Sequence, residues 1–105
     1  MISVTHFASG AADFSARAQT ALQALARRPG YLRGTLARSA DADDAWVMIT
    51  EWQNIGSYRR ALGAYEVKVH ATPLLAESVD VPTAFEPLVE VAPGGAALMR
   101  DSDRA

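Results

Sequence analysis

Cysteine is absent from the 105-residue sequence. That excludes a disulfide scaffold, a thiolate nucleophile and cysteine-ligated zinc or iron–sulfur centres. Histidine is scarce. His6 and His70 lie far apart in the chain, with no carboxylate motif beside them, so no metal cluster can be assembled from the sequence. Neither charge sign dominates. Ten basic side chains stand against twelve acidic ones, for a net charge of −2, which makes nucleic acid and anionic membranes poor partners. No apolar run approaches the roughly 20 residues of a membrane span, and the first residues carry no signal or transit pattern. The glycine-rich fingerprints of dinucleotide and phosphate binding are missing, as is the serine elbow of hydrolases. What remains is a chain that is 50% apolar and 21% charged, the composition of one globular domain. The expectation is a soluble, cytoplasmic protein.

The residues that are present fall into an ordered series of elements. Ile2 to Ala8 reads as a strand, with Ile2 and Val4 on one face and Ser3, Thr5 and Phe7 on the other. Ala11 to Arg28 reads as a helix, since Phe14, Ala18, Leu22 and Leu25 recur at helical spacing and Pro29-Gly30 ends the run. Tyr31 to Ser39 and Ala45 to Gln53 are two further strands around an acidic turn, Asp41 to Asp44. That turn lacks the glycine bend and terminal glutamate of a calcium loop, so it reads as a solvated hairpin tip. The third strand is apolar on both faces: Trp46, Met48, Thr50 and Trp52 on one, Val47 and Ile49 with Glu51 on the other. Helices account for one face, and a second copy of the chain is the simplest cover for the other.

Asn54 is placed to cap a helix carrying Ile55, Tyr58 and Leu62. Tyr65 to His70 alternates like a strand yet also continues the helix past a break at Gly63, and both readings stand. Thr72-Pro73 opens a short turn of helix. Val81 to Val91 reads as a last strand, which Pro82 and Pro87 confine to an edge or interrupt with a bulge. Residues 1–91 thus form one domain. Ala92-Pro93-Gly94-Gly95 reads as a linker, and 92–105 as a flexible tail. The order β-α-β-β-α-β is that of a ferredoxin-like α+β fold: an antiparallel four-stranded sheet with helices on one face.

Three stretches carry a resemblance to a known family. They are Arg28-Pro29-Gly30-Tyr31, Leu36-Ala37-Arg38-Ser39, and Trp46 through Trp52 followed by Ser57-Tyr58. In these the chain resembles the antibiotic biosynthesis monooxygenase domain, over about Ile2 to Val91. The resemblance implies a dimeric α+β barrel, with a pocket between sheet and helices in each subunit. Some members oxidise polyketide phenols or quinols with O₂ and no cofactor, and others bind and degrade haem. The haem-degrading branch uses an Asn on its first strand, a Trp on its second helix and a later His as iron ligand. By that pattern His70 takes the ligand position, Ala61 stands where the Trp would be, and Thr5 or His6 where the Asn would be.

The candidate chemistry is sparse. His70 can ligate haem iron or accept a phenolic proton near neutral pH, and His6 is a second candidate base. Thr5, Trp52, Tyr58 and Tyr65 are candidates to line a pocket for a flat aromatic ligand. Tyr58 is favoured for that role because its hydroxyl needs a partner, whereas the apolar strand around Trp52 points to packing. Arg59 and Arg60 form a basic pair suited to an anionic group or to solvent. A cofactor-independent monooxygenase of an aromatic, polyketide or quinol-type molecule is the leading functional expectation. A haem protein using His70 and a non-catalytic ligand-binding or structural dimer are the alternatives.

Overall fold

A computed structural model describes residues 1–104. Four strands form one antiparallel sheet: β1 (Ile2–Ala8), β2 (Tyr31–Arg38), β3 (Ala45–Trp52) and β4 (Ala84–Phe85), in the order β2-β3-β1-β4. The facing of each residue follows the alternation read in the sequence, and the structure supplies the register. Ser3 pairs with Thr50, Thr5 with Met48 and Phe7 with Trp46, so the apolar face of β3 and the Ser3/Thr5/Phe7 face of β1 share one side. Over that side lie α1 (Phe14–Ala26), α2 (Ile55–Leu62), α3 (Tyr65–His70) and α4 (Thr72–Leu75). The ferredoxin-like α+β arrangement is therefore the observed one.

The helix limits are set by local chemistry. In α1 the small residues Ala18, Ala21 and Ala24 join Phe14 and Leu25 in the buried stripe, letting the helix approach the sheet closely. The helix begins at Phe14, three residues later than the sequence pattern suggests, after a turn at Ala12–Asp13, and Asp13 gives it no side-chain cap. Asn54 caps α2 as expected, accepting a hydrogen bond from the Ser57 amide at 2.8 Å. Tyr65–His70 is helix, not strand, and Val67 is its buried residue.

Two stretches differ from the sequence reading. The strand expected over Val81–Val91 pairs with β1 only at Ala84–Phe85. Prolines 82 and 87 have no N–H to give to a ladder, so the pairing is short. Beyond it the chain leaves the sheet as β5 (Val89–Val91), which pairs antiparallel with β6 (Ala97–Met99). The supposed linker is the turn of this hairpin. Gly94 sits at φ +67° and the Gly95 amide donates to the Ala92 carbonyl at 2.9 Å. Glycine suits that left-handed position.

The outer face of the sheet carries Ile2, Val4 and His6 from β1, Val47 and Ile49 from β3, and Thr35 and Ala37 from β2. No helix packs over it, and Val47 and Ile49 remain half-buried. Among the described residues, no helix is long and apolar enough to cross a membrane.

Candidate functional site

The space between sheet and helices is filled by the chain's own side chains. One cluster joins Phe7, Phe14 and Trp46, with successive ring centroids 5.2 Å apart. A second places Tyr31 edge-on to Trp52 at 5.3 Å, and Tyr58 against the same indole at 5.6 Å. Trp52 is 1% exposed, and Met48 and Thr50 are equally buried beside it. Trp52 and Tyr58, two of the aromatic residues that suggested a binding slot, pack directly on each other here.

A polar ladder runs through this core. Ser3 and Thr50, directly opposed in the register, hydrogen-bond through their hydroxyls, and the Trp52 indole N–H donates to Thr50 Oγ1 at 2.8 Å. The ladder satisfies three buried polar groups and fixes the plane of the indole. Sequence reasoning missed it, because cross-strand register has no signal within one strand. Burial pushes the Tyr31 hydroxyl above its ordinary value.

The larger cavity, about 730 Å³, opens at the end of the sheet where β3 runs into α2. That is within the range of roughly 300–1,000 Å³ typical of small-molecule sites. Strand end and helix start meet here because Trp52 exchanges a backbone bond with Met1 and Gln53 one with Gly30, both at 2.8 Å. Asn54 reaches the cavity from the first position of the α2 cap. Its Oδ1 accepts from the Ser57 amide at 2.8 Å and the Ser57 hydroxyl at 3.0 Å. The carbonyl end being engaged, the amide nitrogen is the end left to donate to a ligand. Arg59, one turn on, adds a guanidinium to the lining, and Phe85 and Ile55 add apolar surface. The sequence reading gave Asn54 a capping role alone. Its second role depends on distant segments that tertiary structure brings together.

Arg100, Asp101, Asp103 and Arg104 form part of the same lining. Glu86 holds them there. Its carboxylate accepts from the Ser102 hydroxyl and from the Asp103 amide at 3.0 Å. These bonds hold the Glu86 carboxyl below its ordinary value. The attachment is therefore present above the ordinary carboxylate range and lost as pH falls through the lowered value.

The remaining candidates are scattered. Thr5 is buried on the inner face, beside the polar ladder. Tyr58 is nearly buried against Trp52. Tyr65 is 80% exposed on α3 and joins neither aromatic cluster. His6 lies on the outer face and borders a shallow apolar groove with Trp46, Val79 and Phe85. His70 is exposed at the end of α3 and adjoins neither cavity, so the residues around it do not fit a haem site. Among the described residues, no group of three or more His, Asp or Glu is placed to hold a metal ion.

The strand order and the helices over one face define a ferredoxin-like α+β domain. The family profile of antibiotic biosynthesis monooxygenases matches residues 1–72, and the chain belongs to that family. It is 38% identical over 69 residues to deoxynogalonate monooxygenase of Streptomyces nogalater, a match spanning 66% of this chain and 58% of that protein. The crystal structure of SnoaB, a cofactor-independent oxygenase from the same organism, superposes with a TM-score of 0.64 at 34% identity, covering 74% of this chain and 81% of that one. A conserved protein from Methanosarcina mazei shares the fold at 17% identity and TM-score 0.63, over 79% of this chain and 84% of that one.

Proposed function

We propose that the protein is a cofactor-independent monooxygenase acting on a phenolic aromatic of the polyketide or quinol type, bound in the cavity at the end of β3. The observation that carries the reading is the Asn54 amide, aimed by its two bonds to Ser57 beside the Arg59 guanidinium in a cavity of ligand size. Likeness to a monooxygenase and to a cofactor-independent oxygenase supports it.

The chemistry asks little of the protein. A phenol or anthrone becomes electron-rich enough to reduce O₂ once it ionises. Asn54 donates to the developing oxyanion and Arg59 supplies the compensating charge, so the ionised form is favoured. The proton leaves to water at the cavity mouth. The anion gives one electron to O₂, the resulting radical and superoxide combine to a peroxide anion, and this takes a proton back from water to become a hydroperoxide. Loss of water leaves a carbonyl on the ring and accounts for both oxygen atoms. Phe85 and Ile55 keep the reacting carbon dry. The buried Trp52, held by Thr50, and Tyr58 beside it back the strand end from which Asn54 projects. Turnover of an anthrone or quinol under ¹⁸O₂ tests this. One labelled atom is expected in the product and the other in water, whereas label drawn from H₂¹⁸O would overturn it.

The working unit in this proposal is a homodimer. The apolar outer face, with Val47 and Ile49 half-buried and no helix over it, fits a second copy related by a two-fold axis. Sizing should give about twice 11.2 kDa. Val47→Asp, which leaves the inner core untouched, is expected to shift the protein to a species of one chain. An unshifted elution profile would rule out this face as the interface.

A further inference from the structure

The thirteen described residues after β5, 92–104, look at first like an appendage. The hairpin's packing is with itself, and Val91, Leu98 and Met99 stand more than half exposed. Two three-residue strands are marginal without support. Yet the hairpin reverses the chain and returns it to the cavity.

The return is fastened twice. At the foot of β6 the Arg100 amide donates to the Leu88 carbonyl at 2.9 Å, and its guanidinium donates to Glu90 through Nε at 3.1 Å and Nη2 at 2.8 Å. Further on, Glu86 accepts from the Ser102 hydroxyl and the Asp103 amide. Residues 100–104 have no helix or strand of their own. Beyond Arg100, the Glu86 carboxylate, taking two donors, holds Ser102 and Asp103 beside a cavity that Asn54 and Arg59 also line. Glu86 itself follows directly on β4, so the fastening point belongs to the sheet.

We infer that residues 100–104 are a movable wall of the ligand cavity, and that Glu86 is a positioning residue that holds this wall closed and so governs which ligands are retained. A ligand seated between Asn54 and Arg59 would have to pass the wall to leave. Releasing Glu86 would open the cavity while leaving Asn54 and Arg59 in place; because Glu86 also lines the cavity, the loss of its charge by itself favours retention of an anion, so faster release reports the opening. The inference rests on the cavity being the ligand site, as proposed above.

The test uses the full chain and a Glu86→Gln variant, which keeps the side-chain size and removes the charge. Residues 101–103 must enter the protease cleft together with Arg100, so trypsin cuts after Arg100 faster once Glu86 lets them go, the Arg100–Glu90 bonds being the same in both proteins. Cleavage there is expected to be roughly five- to tenfold faster in the variant, as for the loss of a charge-assisted attachment in water. The anionic fluorophore 8-anilinonaphthalene-1-sulfonate then reports on the cavity. Its dissociation rate should rise several-fold in Glu86→Gln, while Arg59→Ala should weaken its equilibrium binding with no change in cleavage at Arg100. Equal cleavage of variant and parent would overturn the attachment. Faster cleavage with unchanged dissociation of the fluorophore would overturn the retaining role, and if Arg59→Ala still weakened binding, the cavity reading would survive that failure. Fluorophore binding unaffected by either substitution would overturn both.

Discussion

Trp52→Ala is expected to destabilise the protein by about 3–5 kcal/mol, the range for deleting a large buried ring. The indole is 1% exposed and touches a tyrosine on either side. Its removal opens a void that Tyr31 and Tyr58 cannot both collapse into, since each is anchored on a different element. It also deprives Thr50 Oγ1 of its indole donor, though Ser3 remains as a partner. A loss of that size is a large share of the roughly 5–15 kcal/mol that holds a domain together. Trp52→Phe separates the two contributions: it keeps an aromatic ring and loses the N–H, and should cost about 1–2 kcal/mol. Urea denaturation of the three proteins measures both. A loss below about 1 kcal/mol for the alanine variant would mean that the cluster is not the packing centre described.

The second large effect is expected at Gly30. Its φ is +87°, a left-handed value, and a Cβ placed there would lie 2.3 Å from Ser57 Oγ and 2.5 Å from Ser57 Cβ. Alanine would therefore be strained in its backbone and would push Ser57 aside as well. Ser57 cannot yield freely, because its amide and hydroxyl both hold Asn54 and its hydroxyl also accepts from Arg60 at 3.3 Å. Gly30→Ala should cost about 2–4 kcal/mol, from one strained residue together with a displaced buried contact. It should also disorder the Asn54 amide and weaken ligand binding in whatever protein remains folded. Gly10→Ala is the control. Nothing lies within 4 Å of its Cβ position, so a change within about 0.5 kcal/mol is expected. Matching losses at the two glycines would contradict the close approach of the β2 entry to α2.

This approach explains why Pro29-Gly30 was legible as a motif while its purpose was not. The dipeptide marks the helix end in sequence, but its contact with Ser57 lies across the fold. The same division holds elsewhere. Strict alternation in β1 and β3 disclosed the sheet, its two faces and the need to cover both. Tyr65–His70 stayed open between helix and strand because that segment buries only Val67, so its pattern carries too few apolar positions to fix a period. In sequence β5 reads as the end of the last strand and β6 as part of a tail, because each has only three residues and Pro93-Gly94-Gly95 looks the same in a linker as in a turn. The candidate site was the least legible part. Asn54 announces itself as a cap, and only the meeting of β3, α2 and the C-terminal segment turns it towards a cavity. The histidines, chosen for chemistry alone, lie on the outer sheet face and at an exposed helix end.

The most direct measurement is O₂ consumption by the purified protein with a panel of anthrones and quinols, in buffer freed of metal by chelator and with no flavin or haem added. The account predicts catalysed uptake, one O₂ for each product carbonyl formed, unaffected by the chelator. In Asn54→Ala the rate should fall by roughly 10²-fold, the usual cost of removing an oxyanion donor. Uptake no faster than in buffer across the panel, uptake that requires an added metal or flavin, or an undiminished rate in Asn54→Ala would contradict it.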